Sequence, residues 1–84
     1  MLRITHVTTN KVSTTLRVEG RIEGDGVAVL AKEIEFLHRE GKRVVLDFEA
    51  VEFVDRDGVR MLQETADAKT RIVHCSAFIQ ALLK

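Results

Sequence analysis

Apolar and polar residues alternate along Leu2–Val7 (LRITHV) and again along Val12–Gly20 (VSTTLRVEG), a period of two that predicts two half-buried strands. Asn10 and Lys11 lie between them, so the pair reads as an antiparallel hairpin with a loose turn. Gly20, Gly24 and Gly26 then interrupt the pattern. From Val27 the period changes: Val27, Leu30, Ile34 and Leu37 recur at steps of three and four, with Lys32, Glu33, Glu35 and Arg39 on the other side. That spacing predicts an amphipathic helix, ended by Gly41. KRVVLDF predicts a compact strand from Arg43 to about Phe48, followed by a short separate apolar piece from Val51 to Val54. A second helix is predicted to start near Arg56 or Asp57 and to bury Val59, Leu62 and Ala66. RIVHC reads as a last short strand. Ser76 can cap a final helix through its hydroxyl, with Phe78, Ile79, Leu82 and Leu83 as its apolar side.

The strand faces predict the layering. Leu2, Ile4, Leu16, Val18, Val44, Leu46 and Phe48 can share one face, while Arg3, Thr5, Thr15, Arg17, Glu19 and Asp47 fall on the other. A sheet covered on both sides would read as continuous apolar runs instead. The order β-β-α-β-α-β-α therefore predicts a two-layer α/β fold, a mixed sheet with its helices mainly on one face and the other face wet. Right-handed crossovers that always advance in one direction would build it. With 84 residues and no linker, repeat or low-complexity tract, the chain reads as one domain spanning 1–84. Its aromatics are only four Phe, so Val, Leu and Ile must fill the core.

Thirteen basic residues balance thirteen acidic ones. Without a basic excess, neither nucleic acid nor an anionic membrane is an expected partner. The single cysteine, Cys75, excludes an internal disulfide framework and fits a reducing compartment. MLRITHVTTN has no apolar signal segment, and the longest apolar run, GVAVLA, is far too short to enter a bilayer as a span. A cytoplasmic protein without direct membrane insertion is expected.

Motifs for chemistry are weak. Asp55, Asp57, Gly58 and Glu64 match positions of a calcium loop, but Phe53 would take the first ligand position and Arg60 the apolar anchor. A magnesium site from Asp47, Asp55 and Asp57 competes with the plainer reading of a solvated acidic rim. GRIEGDG lacks the Gly-Lys-Ser/Thr ending of a phosphate loop. His6, His38 and His74 lie on three elements without ligand spacing; His38 is expected in solvent, and His74 with Cys75 at the edge of the core. No metal, cofactor or catalytic group is expected.

The turn FVDRDGVRML is the most informative stretch. A helix start leaves free N–H groups and partial positive charge, so Asp55 suits the N-cap and Asp57 the first turn. Gly58 costs helix propensity there, about 1 kcal/mol relative to alanine. Close approach of another backbone is the usual reason for such a glycine. VVLDFEAVEFVDRDGVRML resembles the central signature of STAS domains (sulfate transporter and anti-sigma factor antagonist), in which a strand ending in Asp leads through a short apolar segment to Asp-Ser-Ser/Thr-Gly and an apolar helix. EGRIEG before the first helix and RIVHCSAFIQALL at the end extend the likeness from about Leu16 onward.

The resemblance implies a STAS-like fold and a non-catalytic protein–protein interaction module that binds its partner around Asp55, Arg56, Asp57 and Gly58. The family's anti-sigma antagonists are switched off by phosphorylation of the tetrad's second hydroxyl residue, and the equivalent here is Asp57, beside Arg56. Asp57 cannot accept phosphate from a serine kinase, and it carries about one negative charge where a phosphoserine carries nearly two. The implied partner is an anti-sigma kinase-like protein or a transporter component, the latter if the chain is the small STAS subunit of a lipid-transport ATPase. A Mg²⁺ or nucleotide-binding protein using the acidic rim, and a purely structural subunit, are the rival classes. Asp47, Glu49, Glu52, Asp55 and Asp57 are expected to gather at one end of the sheet and to favour a basic partner surface. The chain ends at Lys84 where many family members continue, so Leu82 and Leu83 are expected to be poorly covered and a homodimer is expected.

Overall fold

In a computed structural model that describes residues 1–65 and 69–84, the two alternating segments become strands β1 (Leu2–Thr9) and β2 (Ser13–Ile22). They pair antiparallel from Leu2↔Gly20 to Thr9↔Thr14, with one slip between His6 and Thr8. Their turn is pinned rather than loose. The Asn10 side-chain oxygen accepts the N–H groups of Val12 and Ser13, each at 2.9 Å, which is the local bonding that makes Asn a turn residue. Helix α1 (Asp25–Arg39) follows and stops where Gly41 takes φ 79°. There Lys42 N–H bonds Leu37 O and Gly41 N–H bonds His38 O, both at 3.0 Å, satisfying the last free carbonyls.

Strand β3 runs unbroken from Arg43 to Val54 instead of stopping near Phe48. It pairs parallel with β2 throughout, through two irregularities that each place one extra residue on β3: Arg17↔Asp47 becomes Glu19↔Ala50, and Gly20↔Val51 becomes Arg21↔Phe53. Each extra residue resets the alternation of faces. Phe48, Val51 and Val54, three apart in sequence, are consequently all buried. In a sequence that pattern looks like a strand that has ended.

Helix α2 (Arg56–Thr65) leads to β4 (Thr70–Val73), which pairs parallel with β3, and α3 (Ala77–Leu83) closes the fold. The expected burial of Ala66 falls outside the described residues. The sheet order is β1-β2-β3-β4, so both crossovers advance the same way and the helices pack on one face. From the sheet, Leu16, Val18, Ile22, Val44, Leu46 and Phe48 meet Leu30, Ile34, Leu37, Leu62 and Ile79 from the helices, all buried. Each such side chain stabilises the fold by about 1.5–3 kcal/mol relative to exposure.

Four expectations at the periphery are corrected. β4 begins at Thr70 and ends at Val73, so His74 and Cys75 lie beyond it; Cys75 packs against the core, but His74 is exposed with φ 57°. His38 is half-buried, not solvated, because its Nε2 lies 2.9 Å from the Thr70 hydroxyl. Phe78 is 59% exposed, since Ile79 rather than its neighbour points inward after the Ser76 cap. Leu82 and Leu83 are partly buried against the core. Thr14 sits fully buried among apolar residues, and its hydroxyl has no hydrogen-bond partner among the described residues.

Candidate functional site: the acidic strand-to-helix turn

β2 and β3 end side by side, Ile22 opposite Val54, and the chain leaves each strand into a helix. Asp55 stands at the junction and is fully engaged. Its Oδ1 accepts Gly58 N–H at 2.7 Å, the N-cap bond of α2, and its carbonyl accepts Val59 N–H at 2.9 Å. Its Oδ2 accepts Gly24 N–H at 3.0 Å from the loop before α1, where φ is 56° and Gly is favoured. Asp55 N–H in turn donates to Ile22 O at 3.0 Å. One carboxylate thus ties together both crossovers of the sheet. The long-range bond to Gly24 leaves no signal in the sequence.

Gly58 is buried in the first turn of α2, and the expected close approach is present. A β-carbon there would lie 3.0 Å from Ile22 O, 3.1 Å from Ile22 Cγ2 and 2.8 Å from Val54 Cγ1. The missing side chain lets α2 sit directly on the ends of β2 and β3. Asp55 and Gly58 therefore make the turn rigid, while the side chains of Arg56 and Asp57 face solvent and form no hydrogen bond or ion pair among the described residues. Of the four residues expected at the site, the structure engages Asp55 and buries Gly58, and it leaves the side chains of Arg56 and Asp57 exposed.

Beside the turn, on the sheet face without helices, the Arg21 guanidinium stacks 4.6 Å from the centre of the Phe53 ring and bonds Glu23 Oε2 at 2.9 Å. That hydrogen bond and the charge of Glu23 hold Arg21 above its ordinary pKa. Arg21 and Phe53 are cross-strand partners only because both β3 irregularities precede them, so sequence alternation could not pair them. Glu23, Asp25, Glu52, Asp55 and Asp57 outnumber Arg21, Arg56 and the Met1 amino group at this end.

Asp47 and Glu49 do not belong to it. Asp47 pairs with Arg17 and Val54 with Ile22, so five β2 steps at about 3.3 Å each, roughly 17 Å, separate Asp47 from the strand end that Asp55 follows. The proposed magnesium triad is therefore not assembled, and among the described residues no three His, Cys, Asp or Glu side chains converge as metal ligands. Asp47 serves a different cluster. Its Oδ1 accepts Glu49 N–H at 3.1 Å and lies 3.1 Å from His74 Nδ1, a nitrogen that must carry its proton to face a carboxylate; Arg17 Nε is 3.9 Å from Oδ2. The Glu49 N–H, then His74 and Arg17, hold the Asp47 carboxyl below the usual range against the opposing effect of burial. His6 bonds Glu33 at 2.8 Å, and burial pushes the Cys75 thiol up, away from the reactive thiolate. The three histidines remain apart.

A family model described as "Mlab, STAS domain" matches residues 5–84. The structure of the anti-sigma factor antagonist SpoIIAA in its unphosphorylated form superposes with a TM-score of 0.69 at 17% identity, covering 95% of this chain and 80% of that one. That likeness is one of fold. An antisigma-factor antagonist STAS domain from Rhodobacter sphaeroides superposes with a TM-score of 0.64 at 25% identity, covering 87% of this chain and 86% of that one. No curated protein matches the chain. Among the described residues no helix is long and apolar enough to cross a membrane.

Proposed function

Because the chain belongs to the STAS family, we propose that it is a non-catalytic interaction module that docks a protein partner on the turn Asp55–Gly58. The observation that carries this reading is the division of labour at the turn: Asp55 and Gly58 are locked into the fold, while Arg56 and Asp57 are exposed and unpaired among the described residues. A backbone held rigid before binding loses little entropy on binding, so the two exposed side chains project from a preorganised base. Glu23, Asp25, Glu52 and Asp57 around it favour a basic partner surface, with an association rate that falls as salt rises.

Asp57 stands at the position where the family's antagonists carry the phosphorylated hydroxyl, so this module has no serine switch there. That difference favours a permanent subunit over a reversible antagonist, and the small STAS subunit of a lipid-transport ATPase is the reading of that kind. The Mg²⁺ or nucleotide reading loses support because Asp47 lies far from Asp55 and Asp57.

A photo-crosslinking residue placed at Arg56 in the native cell should trap one defined protein, and one placed at Thr8 should not. Asp57→Lys should then weaken binding of the trapped protein at least tenfold. Undiminished binding by Asp57→Lys would remove the turn as the docking site. Stoichiometric phosphate on any residue of the turn after kinase treatment would restore the switch.

A further inference from the structure

Zero net charge conceals a separation of charge along the molecule, which is 32 Å long. The acidic turn occupies the end where β2 and β3 finish. At the other end, where the parallel strands begin, Lys11, Lys42, Arg43, Lys69 and Arg71 outnumber the nearby Glu40 at the end of α1. Ser13 pairs with Arg43 and Val45 with Arg71, which puts the two arginines diagonally across neighbouring strands on the face that no helix covers. With Val12, Ser13, Val44, Val45 and Lys69 they line an open pocket of about 300 Å³ whose lining includes no acid.

Neither Arg43 nor Arg71 has a side-chain hydrogen bond or ion pair among the described residues, and both are exposed. The nearby backbone donors are already spent, Arg43 N–H on Val12 O at 2.8 Å and Val44 N–H on Lys69 O at 2.7 Å. Recognition here therefore falls to side chains. Two guanidinium groups side by side repel each other, and an oxyanion between them converts that repulsion into two charge-assisted contacts. The planar fork of arginine fits phosphate oxygens two at a time. Val12, 67% exposed at the rim, adds apolar surface next to the charge.

We propose that this pocket binds a phosphate group, free or at the head of a lipid, with Arg43 and Arg71 holding its oxygens. The site is independent of the acidic turn and stands or falls separately from the docking of a protein there.

Two measurements on the intact chain test it. Amide spectra are recorded during titration with inorganic phosphate, and cosedimentation is measured with vesicles of phosphatidylcholine alone or mixed with phosphatidylglycerol. Saturable shifts confined to residues around Ser13, Val45 and Arg71 support a free phosphate ligand. Sedimentation only with the anionic vesicles, without phosphate shifts, supports a lipid headgroup. In either case Arg43→Gln with Arg71→Gln should weaken binding at least tenfold, while Arg3→Gln with Arg60→Gln, which removes the same charge elsewhere, should leave it within twofold. Absence of both responses in the unaltered protein, or equal loss in the charge-matched control, overturns the proposal.

Discussion

A methyl group placed at Gly58 probes the contact that seats α2 on the sheet. In an open helix, Gly→Ala stabilises by about 1 kcal/mol through propensity. At Gly58 the added carbon would stand 3.0 Å from Ile22 O, a backbone atom that moves only if β2 moves, and 2.8 Å from Val54 Cγ1, a buried side chain with little room to turn. Overpacking of this kind costs about 1–3 kcal/mol. Because the methyl meets two rigid neighbours, the upper part of that range applies, and the net loss after the propensity gain is about 1–2 kcal/mol. For a chain of this size each kcal/mol moves the melting temperature by about 4–8 °C, so Gly58→Ala should melt roughly 5–15 °C lower. Gly26, also in the first turn of a helix, provides the contrast. A β-carbon there meets first Leu2 Cδ2, at 3.1 Å, the far end of a flexible side chain that can give way. Gly26→Ala should therefore match or exceed the unaltered protein in stability. Thermal and urea unfolding followed by far-ultraviolet circular dichroism compare the three proteins. If Gly58→Ala unfolds at or above the midpoint of the parent, α2 is not held by this close approach and the rigidity assigned to the turn is wrong.

Asp55→Ala removes both the α2 cap and the tie to Gly24, and should cost about 2 kcal/mol in urea unfolding, at the top of the range for a lost cap; a cost below about 0.5 kcal/mol would show that the carboxylate is not the joint. Thr14→Val replaces a buried hydroxyl that has no partner among the described residues with a group of similar shape, and should raise stability by about 1 kcal/mol. A loss instead would reveal a partner for that hydroxyl. Asp47 has its pKa lowered in the folded state, so its stabilising contribution is present above the ordinary carboxylate pKa near 4 and is lost as pH falls through the lower folded value. The stability gap between the parent and Asp47→Asn should thus be about 1 kcal/mol at neutral pH and should close below about pH 4; a gap that persists in acid would refute the role given to its charge.

How much of this was legible beforehand depends on the range of the interaction that decides each feature. Hairpin, helix α1, the Ser76 cap and the order of elements follow from contacts within a few residues, and the sequence alone predicted them. Inward-facing Leu16, Val18, Val44, Leu46 and Phe48 were legible because alternation along an extended chain is a local property. At the turn, a glycine placed against helix propensity announced a close approach, and the structure supplies Ile22 and Val54 as the neighbours. The resemblance to STAS domains rested on that same stretch.

What tertiary structure alone decided was pairing across the sheet. Where β3 adds a residue against β2, the alternation restarts, and only the partner strand shows that Val51–Val54 continues β3 and that Arg21 meets Phe53. Nor can a count of charges say where they collect. Asp47 and Asp55 are only eight apart in sequence, yet an extended strand holds them apart, whereas Arg43 and Arg71 become neighbours through strand order. An extended backbone sets distant what the sequence writes together, and a parallel crossover brings together what it writes apart.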